Sequence, residues 1–338
     1  MIENARGGQD QKRGTTLTQA LGWLPYLDGW RGLSVLAVLL GHFFPIPIVN
    51  TGRLGVEMFF CLSGRLMAQL LYVEKRPIGD FLFRRVSRVW PALYVFVFCM
   101  YFVFASSQIL TVGPIDILAA LSFTSNYSSI YFHDAPVIDH LWSLAIEEWS
   151  YLFLALVAFL SRRFKKDALF FLLAAAMICV INGIWQSSIG KDYYSVYWRT
   201  DVRLSSILIP TIAYIFLRGQ KVQRLVPIVF IFLGVALSIN RVPDPIKYTL
   251  GTACLSIGLA TIESAAPWLL RVLSWTVLRW IGLISFSLYL WQQPFAKIEG
   301  SNPVYLFAVF ACAICSFYLI ERPMRKKLNA LLVYKPGH

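Results

Sequence analysis

The amino-acid sequence predicts an all-α integral membrane protein, a bundle of about ten transmembrane helices with both termini in the cytoplasm. Three observations lead to this prediction: the composition, the spacing of the apolar segments and the distribution of Lys and Arg. Of the 338 residues, 57% are hydrophobic and only 14% are charged, against roughly 25% charged residues in an average soluble protein. The mean hydropathy is +0.61. This composition excludes a disordered chain, a coiled coil and an ordinary soluble enzyme.

Ten apolar segments follow one another with short polar connections, which is typical of polytopic helical membrane proteins. We place them at residues 31–48, 53–73, 90–110, 141–160, 168–188, 204–217, 225–240, 247–263, 277–296 and 303–320. Together they predict a transmembrane domain at 26–325. We expect a disordered cytoplasmic tail at 1–25 before it and a basic cytoplasmic tail at 326–338 after it.

The positive charges indicate the orientation of this bundle. With both termini inside, the cytoplasmic segments hold 22 of the 31 Lys and Arg residues and the outer segments hold six. This asymmetry is the positive-inside pattern. It accounts for the formal net charge of +13 without a nucleic-acid partner. The six cysteines all fall in apolar segments, where we expect small apolar side chains rather than disulfides or metal ligands.

Two polar residues of the first segment share one helix face. Ionisable residues within apolar segments are costly and therefore point to function. Arg31 and His42 are eleven residues apart, which is three helical turns plus about 20°, with a rise of roughly 16 Å. With Arg31 at the cytoplasmic edge, His42 lies near the middle of the membrane, where burial favours a neutral imidazole that can act as a general base. The alternative is a histidine that only hydrogen-bonds neighbouring helices.

The fourth segment carries two adjacent carboxylates, Glu147 and Glu148, at a depth similar to that of His42. They point about 100° apart, so at most one of them faces His42 directly. We expect Glu147 to bond one ring nitrogen of His42 and thereby to orient it. Alternatively, the two glutamates form structural ion pairs with arginines of the second segment.

Three arginines, Arg84, Arg85 and Arg88, lie within the segment 83–91 at the start of the third apolar segment. They are either a positive-inside anchor or, together with Arg31, a site for the phosphates of a nucleotide. Their spacing alone favours the anchor.

Six motifs, in this order, resemble those of the integral-membrane acyltransferase-3 family, which acylates sugars and other acceptors with acyl-CoA. They lie at residues 27–33 with His42, 55–64, 83–91, 141–151, 285–291 and 321–323. The resemblance implies a ten-helix fold, an acyl-CoA donor bound from the cytoplasm and an acceptor often reached from the outer side. The chain is most similar to the standalone forms that modify lipid-linked or surface sugars.

The resemblance also implies roles for individual residues. Essential roles are expected for Arg31, His42, Arg85, Arg88 and Glu147. The complete predicted site comprises His42 and Glu147 as catalytic residues, Arg31, Arg84, Arg85 and Arg88 as donor-binding residues, and Glu57, Trp142, Ser143 and Glu148 as acceptor-binding residues, with no metal. The departures from the family pattern are Glu57 in place of the usual Asp, Arg65 in place of a large apolar residue, and Gln292 and Gln293 where a histidine is frequent. They bear on the choice of acceptor.

The resulting hypothesis is O-acyl transfer in the bacterial cytoplasmic (inner) membrane. An acyl group, expected to be acetyl, moves from acyl-CoA to a hydroxyl of a surface polysaccharide, lipid-linked sugar or glycolipid, with His42 as general base or acyl relay. Acyl-CoA is a substrate, and no permanently bound cofactor is expected; the other partners are the acceptor and membrane lipids. The aromatic cluster Tyr193, Tyr194, Tyr197 and Trp198 is either an acceptor contact or an interfacial belt. The alternatives are a proton-coupled transporter or flippase of an envelope precursor, and a non-catalytic scaffold.

Overall fold

The computed structural model describes residues 24–107, 110–298 and 302–333. Of the described residues, 79% are helical and none lies in a β-strand. In chain order the helices are α1 (Pro25–Phe43), α2 (Thr51–Val73), α3 (Ile78–Phe104), α4 (Pro114–Leu121), α5 (Ser125–Tyr131), α6 (Leu141–Phe164), α7 (Ala168–Ser188), α8 (Tyr193–Tyr197), α9 (Thr200–Leu217), α10 (Val226–Leu237), α11 (244–260), α12 (Pro267–Leu273), α13 (Thr276–Leu283), α14 (Ser285–Lys297) and α15 (Pro303–Leu332). The all-α prediction is confirmed.

Six of these helices are long and apolar enough to cross a membrane: α2, α3, α6, α7, α9 and α15. Only 17% of the most apolar stretch of α7 is buried inside the protein, and Phe170, Met177 and Ile178 are exposed along it. Water does not tolerate so large an apolar surface, whereas lipid does. The chain is an integral membrane protein. Helices α1, α10, α11 and the pair α13 and α14 occupy the other predicted segments, and the count of about ten crossings with both termini inside stays a prediction.

The third predicted segment differs from the observed helix at its start. Helix α3 begins at Ile78, directly after Pro77, whereas the sequence prediction began it at residue 90. Its 27 residues span about 40 Å, which is longer than a hydrocarbon core of about 30 Å. Arg84, Arg85 and Arg88 therefore stand on the first turns of a membrane helix instead of in a loop before it.

The described residues cover the two predicted terminal tails only in part. Residues 1–23 of the predicted N-terminal tail lie outside the described residues, as do residues 334–338 of the predicted C-terminal tail. Residues 326–332 of that tail continue helix α15. The stretch 277–296 is two helices, because the backbone breaks at Ile284 between α13 and α14.

Close backbone packing fixes α1, which carries Arg31 and His42. A Cβ atom added to Gly29 would lie 1.7 Å from the carbonyl oxygen of Leu273, and one added to Gly282 would lie 1.8 Å from that of Asp28. Only glycine allows helices to approach this closely. Helix α1 is thereby held against α12 and α13, while it also packs along α2.

Candidate active site

An arginine-lined cavity of about 470 Å³ lies between α1, α2, α3, α6, α14 and α15. We call it the arginine cavity. The four predicted donor-binding residues line it, and so do Arg76 and Arg325, which the sequence prediction did not include: Arg31, Arg76, Arg84, Arg85, Arg88 and Arg325. Its volume lies within the range of ligand sites, about 300–1,000 Å³. The cavity can therefore bind a polyanionic group of nucleotide size.

Arg85 already has two carboxylate partners and is therefore not available to bind an anion of the donor by itself. Its Nη2 lies 3.0 Å from Oε1 of Glu147, and its Nε donates to Oε1 of Glu148 at 2.8 Å. The guanidinium also lies 4.0 Å above the ring centre of Tyr151, and the hydroxyls of Tyr151 and Ser63 donate to Glu147. Glu148, predicted to bind the acceptor, instead supports Arg85.

The other arginines of the cavity fall into two groups. Arg31, Arg76 and Arg325 are each paired with a carboxylate. The side chains of Arg84 and Arg88 form no hydrogen bond or ion pair with another residue in the described part of the chain, and Arg84 is exposed. Arg84 and Arg88 are therefore the side chains of this cavity best placed to receive phosphate groups.

A second cavity, of about 430 Å³, contains His42. We call it the histidine cavity. Trp142, which was predicted to bind the acceptor, lines it together with three members of the predicted aromatic cluster, Tyr194, Tyr197 and Trp198. Aromatic faces of this kind suit the apolar faces of a sugar ring, and polar groups beside them can take its hydroxyls.

The partner of His42 is Gln292 and not Glu147. Nδ1 of His42 donates to the amide oxygen of Gln292, which fixes the tautomer with the lone pair on Nε2. Glu147 lines the arginine cavity only. The hypothesis that Glu147 orients His42 is therefore wrong, because an uncharged amide occupies that position and the carboxylate is used to hold Arg85.

The two cavities share part of their walls. Val56 and Tyr289 line both of them. Ser143, which lines the arginine cavity, lies 2.6 Å from the hydroxyl of Tyr289, and that hydroxyl donates to the backbone oxygen of His140 at 2.8 Å. Ser143, predicted to contact the acceptor, thus lies at the boundary between the cavities, on the arginine side.

A family profile described as an acyltransferase domain matches residues 24–322 of this chain. The chain belongs to the acyltransferase-3 family. This confirms the resemblance drawn from the six motifs.

Curated relatives agree with this family. The chain is 29% identical to the peptidoglycan O-acetyltransferase OatA of Listeria monocytogenes over 93% of its own length and 57% of that protein. It is 28% identical to a candidate O-acetyltransferase of Staphylococcus aureus (strain COL), over 97% of its own length and 62% of that protein. The chain thus spans about three fifths of the length of the relatives it matches. No solved structure gives a significant match.

Glu57 of the acyltransferase has a different environment from the predicted one. It was predicted to bind the acceptor, but it forms a buried ion pair with Arg203 and accepts a hydrogen bond from Thr252. The guanidinium of Arg203 lies 4.0 Å above the ring centre of Tyr248. Glu57 is 3% exposed and does not line the histidine cavity, so it braces α2 against α9 and α11.

Sequence reasoning missed two site residues of the acyltransferase, Tyr289 and Gln292. Both lie in α14, and both are buried. Tyr289 belongs to the motif 285–291, and Gln292 follows it directly. The available signal was a pair of uncharged polar residues, Gln292 and Gln293, within an apolar segment, which indicates buried hydrogen-bond partners.

Proposed function

We propose that this acyltransferase moves an acetyl group from acetyl-CoA to a hydroxyl of a carbohydrate acceptor across the bacterial cytoplasmic membrane. The observation that carries the proposal is the pair of cavities with a common wall, one lined by arginines and the other containing a histidine with its lone pair on Nε2. A phosphate-bearing donor and a polar, uncharged acceptor need these two different linings.

The donor occupies the arginine cavity. The phosphates of CoA pair with Arg84 and Arg88, and Arg31 adds a further positive charge. The pantetheine arm extends along α1 towards the common wall at Tyr289 and brings the thioester to His42. The rise of roughly 16 Å between Arg31 and His42 is similar to the length of the pantetheine arm. The positive-inside pattern places this cavity on the cytoplasmic side, where acyl-CoA is available.

The chemistry centres on Nε2 of His42. As a general base, Nε2 takes the proton of the acceptor hydroxyl while the oxygen attacks the thioester carbonyl; the C–S bond breaks, and the proton passes to the CoA thiolate. As an acyl relay, Nε2 itself attacks the carbonyl, releases CoA and then passes the acetyl group to the hydroxyl. Both routes give the same products, an acetyl ester and free CoA, and both need the tautomer that Gln292 fixes.

The acceptor enters the histidine cavity. Its aromatic lining, from Trp142, Tyr194, Tyr197 and Trp198, suits the apolar faces of a sugar ring. The name of the Listeria relative, a peptidoglycan O-acetyltransferase, supports a carbohydrate of the cell envelope. A polysaccharide, a lipid-linked sugar and a glycolipid all fit this chemistry.

The test is transfer of labelled acetyl from acetyl-CoA into the envelope fraction by membranes that contain equal amounts of each variant. Wild type is expected to label the envelope, and His42→Ala is not. His133→Ala is the matched control, because His133 is 51% exposed and lies outside both cavities. Equal labelling by His42→Ala would show that the assigned base is wrong.

The donor site is tested in the same assay. Arg88→Gln is expected to raise the KM for acetyl-CoA on the order of tenfold, because a charge-assisted contact to phosphate is lost. Arg163→Gln is the control, since this exposed arginine lines neither cavity. If wild type labels nothing with acetyl-CoA or with a longer acyl-CoA, and instead shows flux that depends on the protonmotive force, the transporter alternative replaces the proposal.

A further inference from the structure

His140 is a buried histidine that the mechanism above does not use. It lies at the start of α6, is 4% exposed and lines the histidine cavity. Its ring contacts those of Phe96 and Tyr289, with centres 5.6 Å and 5.2 Å apart. The backbone oxygen of His140 accepts a hydrogen bond from the hydroxyl of Tyr289. This bond and the two ring contacts define the position of the His140 ring.

Neither ring nitrogen of His140 has a hydrogen-bond partner among the described residues. The backbone near Leu290 approaches the ring, but without hydrogen-bond geometry. A buried polar group without a partner costs free energy, and such groups are rare in folded proteins. A phenylalanine would fill the same space between Phe96 and Tyr289 at no such cost. The polar atoms are therefore present for a ligand that the cavity receives.

We propose that His140 binds a hydroxyl of the carbohydrate acceptor, as a binding residue separate from the base His42. A neutral imidazole presents one N–H donor and one lone pair. A hydroxyl can accept a hydrogen bond from the N–H or donate its proton to the lone pair. This inference rests on the proposed function. It adds a determinant of acceptor recognition in the cavity that also contains His42, from a different helix, since His140 directly precedes α6 and His42 belongs to α1.

The buried polar groups of the histidine cavity that lack partners are uncharged, which suits a polyhydroxyl ligand. Two cations also line this cavity: Lys297 is paired with Asp139 at 3.3 Å, and the guanidinium of Arg53 lies 4.0 Å above the ring centre of Tyr193. Gln293 also donates to Asp139, so these charged groups already have partners. The unsatisfied groups offered to a ligand are the two nitrogens of His140 and the hydroxyl of Tyr197, which is also buried without a partner in the described structure.

The experiment compares wild type with His140→Phe and His140→Gln, and uses His133→Phe as the matched control. The acceptor is the saccharide recovered from the labelled envelope fraction and freed of its acetyl groups by mild alkali. The KM for this saccharide, the KM for acetyl-CoA and the thermal midpoint in detergent are measured for each variant.

His140→Phe is expected to raise the KM for the saccharide about 3- to 10-fold, which is the effect of one lost hydrogen bond. The KM for acetyl-CoA stays the same, and the thermal midpoint is equal or higher because two unpaired nitrogens are removed. His140→Gln keeps one donor and one acceptor, and restores part of the affinity for the saccharide.

Three results would overturn the inference. An unchanged KM for the saccharide in His140→Phe means that the nitrogens do not contact the acceptor. A lower thermal midpoint in His140→Phe means that they are paired in the free protein. An equal rise in the KM for acetyl-CoA means that the change disturbs the whole site. Absence of transfer by wild type is a different failure, because it removes the proposed function and this inference with it.

Discussion

Replacement of Arg85 by Gln is expected to destabilise the protein far more than a lost contact to the donor would. Arg85 lies between Glu147 and Glu148, at 3.0 Å and 2.8 Å, and only 13% of its side chain is exposed. It is the one ion-pair partner of either carboxylate within the described residues. The variant would leave two adjacent carboxylates, 19% and 12% exposed, without a positive charge.

The magnitude follows from this arrangement. Removing one partner of a buried ion pair costs about 3–5 kcal/mol. In a chain of this size, each kcal/mol lowers the thermal midpoint by about 2 °C. Arg85→Gln should therefore lower the midpoint by about 6–10 °C. Hydrogen bonds from Ser63 and Tyr151 to Glu147 remain in the variant and still stabilise this carboxylate. We therefore expect a decrease in the lower half of this range.

The assay is thermal unfolding of the purified protein in detergent. Arg84→Gln is the matched control, because Arg84 lines the same cavity, is exposed and has no ion-pair partner among the described residues. The double variant Arg85→Gln with Glu148→Gln removes one of the uncompensated charges. It should recover at least about 3 °C relative to Arg85→Gln, which corresponds to a coupling of about 1.5 kcal/mol.

One result would refute this reasoning. If Arg85→Gln is as stable as Arg84→Gln and raises the KM for acetyl-CoA as Arg88→Gln does, Arg85 binds the donor directly. Its contacts with Glu147 and Glu148 would then contribute nothing measurable to folding. That outcome would restore the role that the family resemblance implies for the Arg85 and Arg88 pair.

Two further predictions concern α14 and α13. Gln292→Leu should lower kcat on the order of tenfold while the KM for acetyl-CoA stays constant. The reason is that Nδ1 of His42 loses the acceptor that fixes its tautomer. An unchanged kcat in steady-state kinetics would contradict this prediction. Gly282→Ala should lower the thermal midpoint, since its new Cβ would lie 1.8 Å from a backbone oxygen of α1 and overpacking costs about 1–3 kcal/mol. Gly79→Ala, with nothing within 4 Å of the added atom, is the control and should be as stable as wild type or more so.

Much of the fold could be predicted because apolar segment length and helix period are local properties of a sequence. Helix α7 has the predicted bounds, and α2 begins two residues before its predicted start. The prediction was less accurate for α3, because its first turns are polar and hydropathy alone cannot tell a helix that extends beyond the membrane from a loop. The break at Ile284 was also missed, since a kink leaves an apolar segment apolar.

The candidate site was predicted in part for a similar reason. A polar residue in an apolar segment is visible in the sequence, so Arg31, His42 and Glu147 were all identified, and each lines a cavity. The partner of each residue was not visible. Gln292 is 250 residues from His42, and hydrogen-bond partners at such separation depend on how the helices are arranged.

The sequence by itself determined that this protein is helical, that it belongs in a membrane and which polar side chains are costly enough to matter. These properties depend on composition and on spacing within single helices. Only the tertiary structure decided that the arginines and the histidine line two cavities with a common wall. It also decided that Arg85 binds both glutamates, of which Glu147 was predicted to orient His42 and Glu148 to bind the acceptor. The physical reason is that the free energy of a buried charge or hydrogen bond depends on the groups within a few ångströms of it, and those groups come from helices far apart in the chain.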